Sequence, residues 1–259
     1  MNLSNEDPPI VAVKDLSLAF TDGKVPLEAL KGIDFEVAPE QFVCIIGPSG
    51  SGKSTLLRIL AGLLSPTCGE VMIEGKKVEG TVEGIGMVFQ DANLMPWRTV
   101  LENILLPLEI DRNCLLSKEE KEQRAEELID LVGLTGFRDW LPRDLSGGMA
   151  QRVAIARSLI HDPKLLLLDE PFGSLDALTR ERMGGELLRI WRAQKKTVVM
   201  VTHDIAEAVF LGDRVLAFSP QPGRLRVDLN VDLPRPREEG ERYSSRFIEL
   251  THQLRDAIR

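Results

Sequence analysis

Cysteine is scarce in this sequence of 259 residues, which contains only Cys44, Cys68 and Cys114. The three residues are scattered, and none of them belongs to a C-x-x-C pair. This spacing gives neither a disulfide framework nor a zinc site. We expect ordinary, partly buried thiols, and the low cysteine content fits a reducing compartment such as the cytosol.

An excess of positive charge and a long apolar run are also missing. The formal net charge is -8, and because binding to a polyanion usually leaves a basic patch, nucleic acid is disfavoured as a partner. No segment approaches the roughly 18 uninterrupted apolar residues of a membrane-spanning helix. The first residues lack the basic start and apolar core of a signal peptide. Any membrane role is therefore expected to come through a partner protein.

Strand and helix patterns alternate along the chain instead. An apolar strand pattern ends at Ile46, and a glycine-rich loop and a helix pattern follow it. Buried strands are indicated at 165–168 and 197–201, with a helix around 177–194 between them. Residues 91–160 instead show mainly helical patterns. Strands separated by helices predict an α/β fold with a largely parallel sheet, covered by helices on its faces.

The glycine-rich loop satisfies the pattern G-x-x-x-x-G-K-[ST] at the junction of a strand and a helix. Glycines let backbone N–H groups curl around phosphate oxygens, and the N-terminus of the following helix attracts anions. Lys53 supplies positive charge for the β- and γ-phosphates, and Ser54 would ligate Mg²⁺. The predicted nucleotide-binding residues of this loop are Gly47, Pro48, Ser49, Gly50, Ser51, Gly52, Lys53, Ser54 and Thr55.

Two adjacent carboxylates, Asp169 and Glu170, follow the apolar run 165–168. Ligands of open α/β sheets bind at the carboxyl ends of the strands, which is where this pair is expected. Asp169 would help to hold Mg²⁺, and Glu170 would orient or deprotonate the attacking water. Without the phosphate loop, a solvated turn before Pro171 would be the simpler interpretation.

His203 and Gln90 are weaker candidates at the ends of predicted strands. The imidazole of His203 could hydrogen-bond the γ-phosphate or the catalytic carboxylate. A lone histidine is usually structural, however, and an amide such as Gln90 at the end of a strand is most often a loop residue.

A second glycine cluster, Leu145-Ser146-Gly147-Gly148-Met149, precedes a helical pattern. Ser146 is a suitable N-cap for that helix. The cluster is either a flexible helix start or a second anion-binding helix N-terminus, at which Ser146 and the bare backbone of Gly147 and Gly148 contact phosphate.

The order of these motifs resembles that of ABC transporter ATP-binding subunits, over about residues 11–230. The specific feature is LSGG between the phosphate loop and the acidic pair, followed by Ser174-Leu175-Asp176 and His203. The resemblance implies a P-loop NTPase core with a mostly parallel sheet, an N-terminal antiparallel β subdomain and an inserted α-helical subdomain. It implies a single ABC ATPase domain over 1–259, with the RecA-like core at about 1–90 and 161–230, the helical subdomain at about 91–160 and a short tail at 231–259.

The resemblance also implies ATP hydrolysis with Mg²⁺ by two copies that pair head to tail. The LSGG motif of one copy would close over the γ-phosphate held by Lys53 of the other. The implied roles are metal coordination by Ser54, Gln90 and Asp169, catalysis by Glu170, His203 and Gln90, adenine stacking by Phe20, ATP contact by Ser146, Gly147 and Gly148, and a place at the dimer interface for Asp176.

Residues around these motifs resemble those of importers of the nitrate, sulfonate and taurine group, namely Met149, the segment 170–180 and Pro222-Gly223-Arg224. Ala150 departs from the arginine often found at its position. Such ATPases lie at the cytoplasmic face of the plasma (bacterial inner) membrane, as peripheral proteins bound to transmembrane permease subunits. Through the permease they serve a periplasmic or extracellular substrate-binding protein.

Trp97 lies just after Gln90, in the region where ATPases of this family touch the permease. An exposed tryptophan in a loop is a candidate anchor for a partner. The equally weighted alternative is packing of Trp97 into the helical lobe. At the level of function, the alternative to an importer subunit is a soluble ABC ATPase that is not coupled to transport.

Overall fold

The computed structural model describes residues 8–21 and 26–258. The N-terminal residues 1–7, which gave no sign of a signal peptide, lie outside the described residues. The chain forms two compact units. The first unit contains the described residues up to Glu83 together with those from Lys195 onward, and the second unit spans Gly84–Gln194.

The first unit begins with an antiparallel sheet in the strand order β2-β1-β4-β5. Val11 lies opposite Val37 on one side and opposite Ile73 on the other. Buried and exposed residues alternate in the second half of β2, as expected for a sheet with one face on a core. The elements of this part are β1 (Val11–Phe20), β2 (Leu27–Val37), β3 (Phe42–Ile46), α1 (Lys53–Leu60), β4 (Cys68–Ile73) and β5 (Lys76–Lys77).

The second unit combines a parallel strand pair with four helices. Ile85 of β6 lies opposite Leu165 of β7, and all five residues of β7 are buried. The helices α2, α3 and α4 pack against one another. The elements are β6 (Ile85–Val88), α2 (Val100–Ile110), α3 (Lys118–Leu131), α4 (Gly147–Leu159), β7 (Leu165–Asp169) and α5 (Ala177–Gln194).

The rest of the first unit completes a second sheet, in which β10, β9, β3 and β8 lie in this order. Within it, β3 runs parallel to both β8 and β9, and every residue of β3 and β8 is buried. A strand that is buried on both faces needs a continuous apolar run, which explains its composition. The elements are β8 (Thr197–Val201), α6 (Ile205–Leu211), β9 (Arg214–Phe218), β10 (Leu225–Asn230) and α7 (Ser245–Ile258).

These elements confirm the predicted fold class, with a parallel core sheet, an N-terminal antiparallel β part and an inserted helical part. The two compact units do not follow the expected boundaries at 90 and 161, because β6, β7 and α5 group with the inserted helices. The assignment of one ABC ATPase domain over the whole chain stays a prediction. Among the described residues, no helix combines the length and the apolar character needed to cross a membrane.

All three cysteines are free thiols. Cys44 is buried in the centre of β3, and its burial raises the pKa of the thiol well above the usual range. Cys68 is exposed at the start of β4, and Cys114 is half-buried.

Two helices of the second unit begin with complete capping boxes. The hydroxyl of Thr99 accepts a hydrogen bond from the Glu102 backbone N–H, and the Glu102 carboxylate accepts one from the Thr99 N–H. Ser117 and Glu120 repeat this arrangement at the start of α3. Reciprocal caps satisfy backbone donors that have no partner inside the helix, so they fix where α2 and α3 begin.

The cap of α2 gives a testable prediction. Thr99→Ala removes the acceptor for the Glu102 N–H, and we expect a loss of about 1 kcal/mol in the free energy of unfolding. Urea denaturation followed by circular dichroism measures this loss. Thr81→Ala, in an exposed loop, is the matched control and should change stability by no more than about 0.5 kcal/mol. Equal stability of the two variants would contradict a stabilising cap at Thr99.

Candidate functional site

The phosphate loop leaves the sheet at the carboxyl end of β3 and enters α1 through Gly52. Gly52 is in the left-handed region, with a φ of 83°. A Cβ at this position would lie 2.6 Å from Cδ2 of Leu30 and 2.9 Å from the carbonyl oxygen of Ala29. Both the conformation and the close packing therefore require glycine at the residue that starts the helix.

Lys53 and Ser51 place buried polar groups in the loop. Lys53 is only 5% exposed, and its Nζ donates hydrogen bonds to the carbonyl oxygens of Gly47 (2.9 Å) and Pro48 (3.0 Å). Ser51 is fully buried, and its Oγ has no hydrogen-bond partner among the residues that the structure describes. The first turn of α1 has no acidic residue. A buried cation, an unsatisfied hydroxyl and a helix N-terminus at one place form a fitting site for phosphate.

Gly223 supports the loop from the turn between β9 and β10. A Cβ on Gly223 would lie 2.0 Å from the carbonyl oxygen of Ser51, so only glycine fits there. The Gly223 N–H donates to the Ala29 carbonyl (2.9 Å), and its carbonyl accepts from the Lys31 N–H (3.0 Å). The sequence pattern linked Pro222-Gly223 only to the importer group, because a contact between residues so far apart in the chain has no local signal.

His203 leaves the same sheet one strand away from the phosphate loop. β3 and β8 are parallel neighbours, with Ile45 opposite Val201, and the Thr202 N–H donates to the Ile45 carbonyl (3.1 Å). The segments that follow the two strands, with Gly47 after β3 and His203 after β8, therefore begin at the same edge of the sheet. The His203 side chain is exposed there.

Phe20 is the last residue of β1 and lies in the antiparallel sheet of the same unit. It is 38% exposed, so one part of the ring is accessible. An exposed aromatic ring can stack on a planar base. Adenine stacking by Phe20 stays a prediction.

In the second unit, the acidic pair ends the buried strand β7. Asp169 is the last residue of β7 and is 7% exposed. Glu170 follows in the left-handed region with a φ of 44°, which is costly for a residue with a side chain. The two adjacent carboxylates therefore leave the strand in different backbone conformations. Strain of this kind concentrates at functional sites.

Gln90 and Glu170 both border the space above Gly173. A Cβ on Gly173 would lie 3.5 Å from Nε2 of Gln90 and 3.5 Å from Oε2 of Glu170. The Gly173 N–H also donates to the Glu170 carbonyl (3.0 Å). The structure thus brings together two residues that are 80 positions apart in the sequence. Sequence reasoning missed Gly173, because its role depends on the space between these two side chains.

The segment from Gln90 to Trp97 is fixed by the side chains of Gln151 and Arg157 in α4. Arg157 donates to the carbonyl oxygens of Ala92 (2.7 Å) and Asn93 (2.9 Å). Gln151, which is 3% exposed, donates to the carbonyl of Phe89 (3.3 Å). These contacts hold the backbone on both sides of Gln90.

Asn103 of α2 fixes the second half of the same segment. Its side chain is fully buried and accepts from the Met95 N–H (2.7 Å). Its amide donates to the carbonyl oxygens of Met95 (3.2 Å), Arg98 (3.0 Å) and Thr99 (2.9 Å). Trp97 lies within this ordered loop and is 73% exposed. The structure thus favours the exposed interpretation of Trp97 over packing into the helical lobe.

The second glycine cluster forms the start of α4. Ser146 is the N-cap, as predicted, and its hydroxyl accepts from the Met149 N–H (3.3 Å). Ser146 and Gly147 are exposed, whereas Gly148 is buried. A Cβ on Gly148 would lie 3.3 Å from the Thr179 side chain, so this turn packs on the start of α5.

Asp176 is the residue before α5 and is exposed. Its carboxylate accepts from the Thr179 N–H (3.0 Å). Hydrogen bonds from the Thr179 side chain and backbone lower the pKa of Asp176, so the carboxyl group is ionised at neutral pH. The structure assigns Asp176 a helix-capping contact, and its place at a dimer interface stays a prediction.

Comparisons with known proteins fit this arrangement of motifs. The family model described as ABC transporter matches residues 30–173. The nitrate import ATP-binding protein NrtD of Synechocystis sp. is 46% identical over 86% of this chain and 82% of its own length. The aliphatic sulfonates import ATP-binding protein SsuB of Bacillus cereus is 42% identical over 94% of each chain.

A solved structure supports the same family. It is a dimeric ATP-binding cassette in a post-hydrolysis state bound to ADP and Pi. It matches with a TM-score of 0.75 and 37% identity, and the match covers 86% of this chain and 100% of the cassette. The chain therefore belongs to the ABC transporter family, as the order of its motifs predicted.

Proposed function

We propose that this chain is the ATP-hydrolysing, energy-coupling subunit of an ABC importer for a small anion such as nitrate, an alkanesulfonate or taurine. The observation that carries the proposal is the phosphate loop, with its buried Lys53, the unsatisfied Ser51 hydroxyl and the N-terminus of α1. The substrate class is supported by relatives named for nitrate, aliphatic sulfonate and taurine import.

ATP would bind with its phosphates in the loop Gly47–Thr55 and its adenine against Phe20. Hydroxyl, carboxylate and amide oxygens are the hard ligands that Mg²⁺ prefers, so Ser54, Asp169 and Gln90 fit a magnesium ion bound with ATP. When bound, the ion would neutralise charge that develops on the phosphates. The donor chemistry of these residues supports the proposal.

Glu170 is the proposed general base for the attacking water. Its carboxylate and the Gln90 amide both border the space above Gly173, which supports a shared role for the two side chains. His203 would donate a hydrogen bond to the γ-phosphate, and its exit from the sheet beside the phosphate loop supports this role.

A second copy of the chain would complete each site. Ser146, Gly147 and Gly148 of that copy would contact the γ-phosphate, with Asp176 at the interface. The exposure of Ser146 and Gly147 at the start of α4 supports this role, as does the dimeric state of the solved cassette.

The proposed location is the cytoplasmic face of the plasma (bacterial inner) membrane, where the chain binds permease subunits that receive substrate from a periplasmic or extracellular binding protein. The exposed Trp97, on a loop fixed by Asn103 and Arg157, supports a protein partner. A soluble ABC ATPase without a permease is the alternative, and it would have no need of this anchor.

The role of Glu170 as general base is tested by Glu170→Gln. This substitution keeps the size and polarity of the side chain but removes the carboxylate. We expect turnover to fall by at least about 100-fold, while ATP binding is kept and an ATP-bound dimer accumulates. Phosphate release and size-exclusion chromatography with ATP measure these effects. Glu181→Gln, an exposed position on α5, should hydrolyse ATP at the wild-type rate. Wild-type turnover in Glu170→Gln would count against Glu170 as the base.

The proposal that two copies of the chain form each ATP site is tested by mixing two inactive variants. Lys53→Ala disables the phosphate loop and Ser146→Arg blocks the second glycine cluster, so each variant alone should have little activity. A mixed dimer contains one intact site, formed by Lys53 of one copy and Ser146 of the other. We therefore expect partial recovery of ATPase activity on mixing. If the mixture is as inactive as its components, each copy works with its own motifs or does not pair.

The role of Trp97 in binding the permease is tested by Trp97→Ala in the chain co-expressed with its permease. Loss of a central tryptophan anchor typically weakens binding by at least about tenfold, so co-purification should fall while ATP binding is unchanged. Leu115→Ala removes a side chain that is 98% exposed outside this loop and should not affect assembly. Unchanged co-purification of Trp97→Ala would remove Trp97 from the interface.

A further inference from the structure

The C-terminal segment 231–258 returns to α6, the short helix that follows His203. Three of its arginines, Arg235, Arg237 and Arg242, contact the carboxyl-terminal end of α6. The apolar face of α7, formed by Phe247, Leu250 and Leu254, is buried, and α7 packs against α6. The tail is therefore part of the structure around His203.

Arg237 makes the most extensive of these contacts. Its Nη1 donates to the carbonyl oxygens of Val209 (3.0 Å), Phe210 (2.9 Å) and Gly212 (2.6 Å). The last carbonyls of a helix have no partner inside the helix and carry partial negative charge. The residue is 7% exposed, and burial lowers the pKa of its guanidinium to about 10, so it is still protonated at neutral pH. A buried cation thus closes the end of α6.

Arg235 and Arg242 add to this closure. Arg235 donates to the Leu211 carbonyl (2.6 Å) and pairs with Asp213 (2.7 Å), the residue before β9. The guanidinium carbon of Arg242 lies 3.9 Å from the centroid of the Phe210 ring, which is a cation–π distance. The tail thus holds the backbone and one side chain of the last turn of α6.

At the other end of α6, His203 lies between the residues that cap the helix. Asp204 is the N-cap, and its carboxylate accepts from the Glu207 N–H (3.1 Å). The hydroxyl of Thr202 accepts from the Asp204 N–H (3.0 Å) and donates to the Glu207 carboxylate. His203 therefore lies between two residues that are bonded to the first turn of the helix. A displacement of α6 would displace His203 with it.

A helix as short as α6, with seven residues, is marginal without tertiary contacts. A groove of about 350 Å³ lies between His203 and the tail, bordered by His203 and Ile205 on one side and by Ile248 of α7 on the other. Arg237 binds the opposite end of α6, so an influence of Arg237 on His203 passes through this helix.

We propose that Arg237 is a positioning residue for ATP hydrolysis, which fixes α6 and thereby holds His203 in place for the γ-phosphate. The proposal rests on the proposed function, in which His203 contacts that phosphate. Arg237 lies 34 positions after His203 and acts only through the helix. The hydrogen bonds of Arg237 go to the end of α6 and not to the phosphate loop, so ATP binding should not need Arg237.

The first test compares three tail variants by steady-state ATPase kinetics. Arg237→Met keeps the length of the side chain but leaves three carbonyls without a donor, and we expect kcat to fall between about tenfold and a hundredfold with KM for ATP unchanged. Arg237→Lys restores a cation with three N–H donors and should recover most of kcat. Arg246→Met is the control, because Arg246 pairs with Asp232 and Glu249 on the tail itself, and it should behave as wild type.

The second test asks whether Arg237 acts through His203. If it does, Arg237→Met should lower kcat in the wild-type chain but cause no further loss in a His203→Ala background, because interacting residues give non-additive effects. A full further loss in the double variant would overturn the positioning proposal and leave the proposed function standing. Wild-type turnover in His203→Ala alone would instead overturn the role of His203 in the proposed function, and the positioning proposal with it.

Folding of each variant is checked by thermal unfolding and by binding of a fluorescent ATP analogue. If Arg237→Met does not fold, Arg235→Met replaces it, since Arg235 contacts α6 through the Leu211 carbonyl and is less buried. We expect a smaller loss of kcat that is again absent in the His203→Ala background. An equal loss in both backgrounds would overturn the proposal.

Discussion

The fully buried strand β3, paired in parallel with β8 and β9, is the constraint on which the first unit depends. Its five residues have no polar side chain other than the thiol of Cys44, so the strand is stable only with both faces covered. Parallel pairing sends the residues after β3 and β8 to one edge. The loop Gly47–Thr55 and His203 therefore share a position that neither could reach from an exposed or antiparallel strand.

Irregular segments at the site are held by buried and half-buried polar side chains that bind backbone carbonyls. Asn103, Gln151 and Arg157 do this for the loop from Phe89 to Thr99, and Arg237 does it for the end of α6. Burial of a polar group is costly unless its hydrogen bonds are made, and a loop carbonyl without a partner is costly too. Each pairing reduces both costs. The bonds made by Asn103, Gln151 and Arg157 explain how a loop without regular structure presents Trp97 in a defined place.

Each unit carries charges that suit the groups it is proposed to bind. The first unit places a lysine and a helix N-terminus in the phosphate loop, which suits the polyanionic phosphates. The second unit places Asp169 and Glu170 together, which suits a cation and a water molecule that must lose a proton. Ser146 and Gly147 add a second helix start with accessible backbone. The groups proposed to hold phosphate and the groups proposed to hold the cation and the water therefore lie on separate elements.

The sequence by itself determined the α/β class, the positions of β7, β8 and α5, and the main motif residues, because glycine loops, apolar runs and helix caps are local patterns in the chain. Ser146 as an N-cap was predicted from such a pattern. Only the tertiary structure decided that Gly223 supports the phosphate loop, that Gln90 and Glu170 both border the space above Gly173, that Trp97 is exposed and that Arg237 closes α6. These contacts join residues far apart in sequence, and their existence depends on close packing, which leaves no periodic or compositional signal.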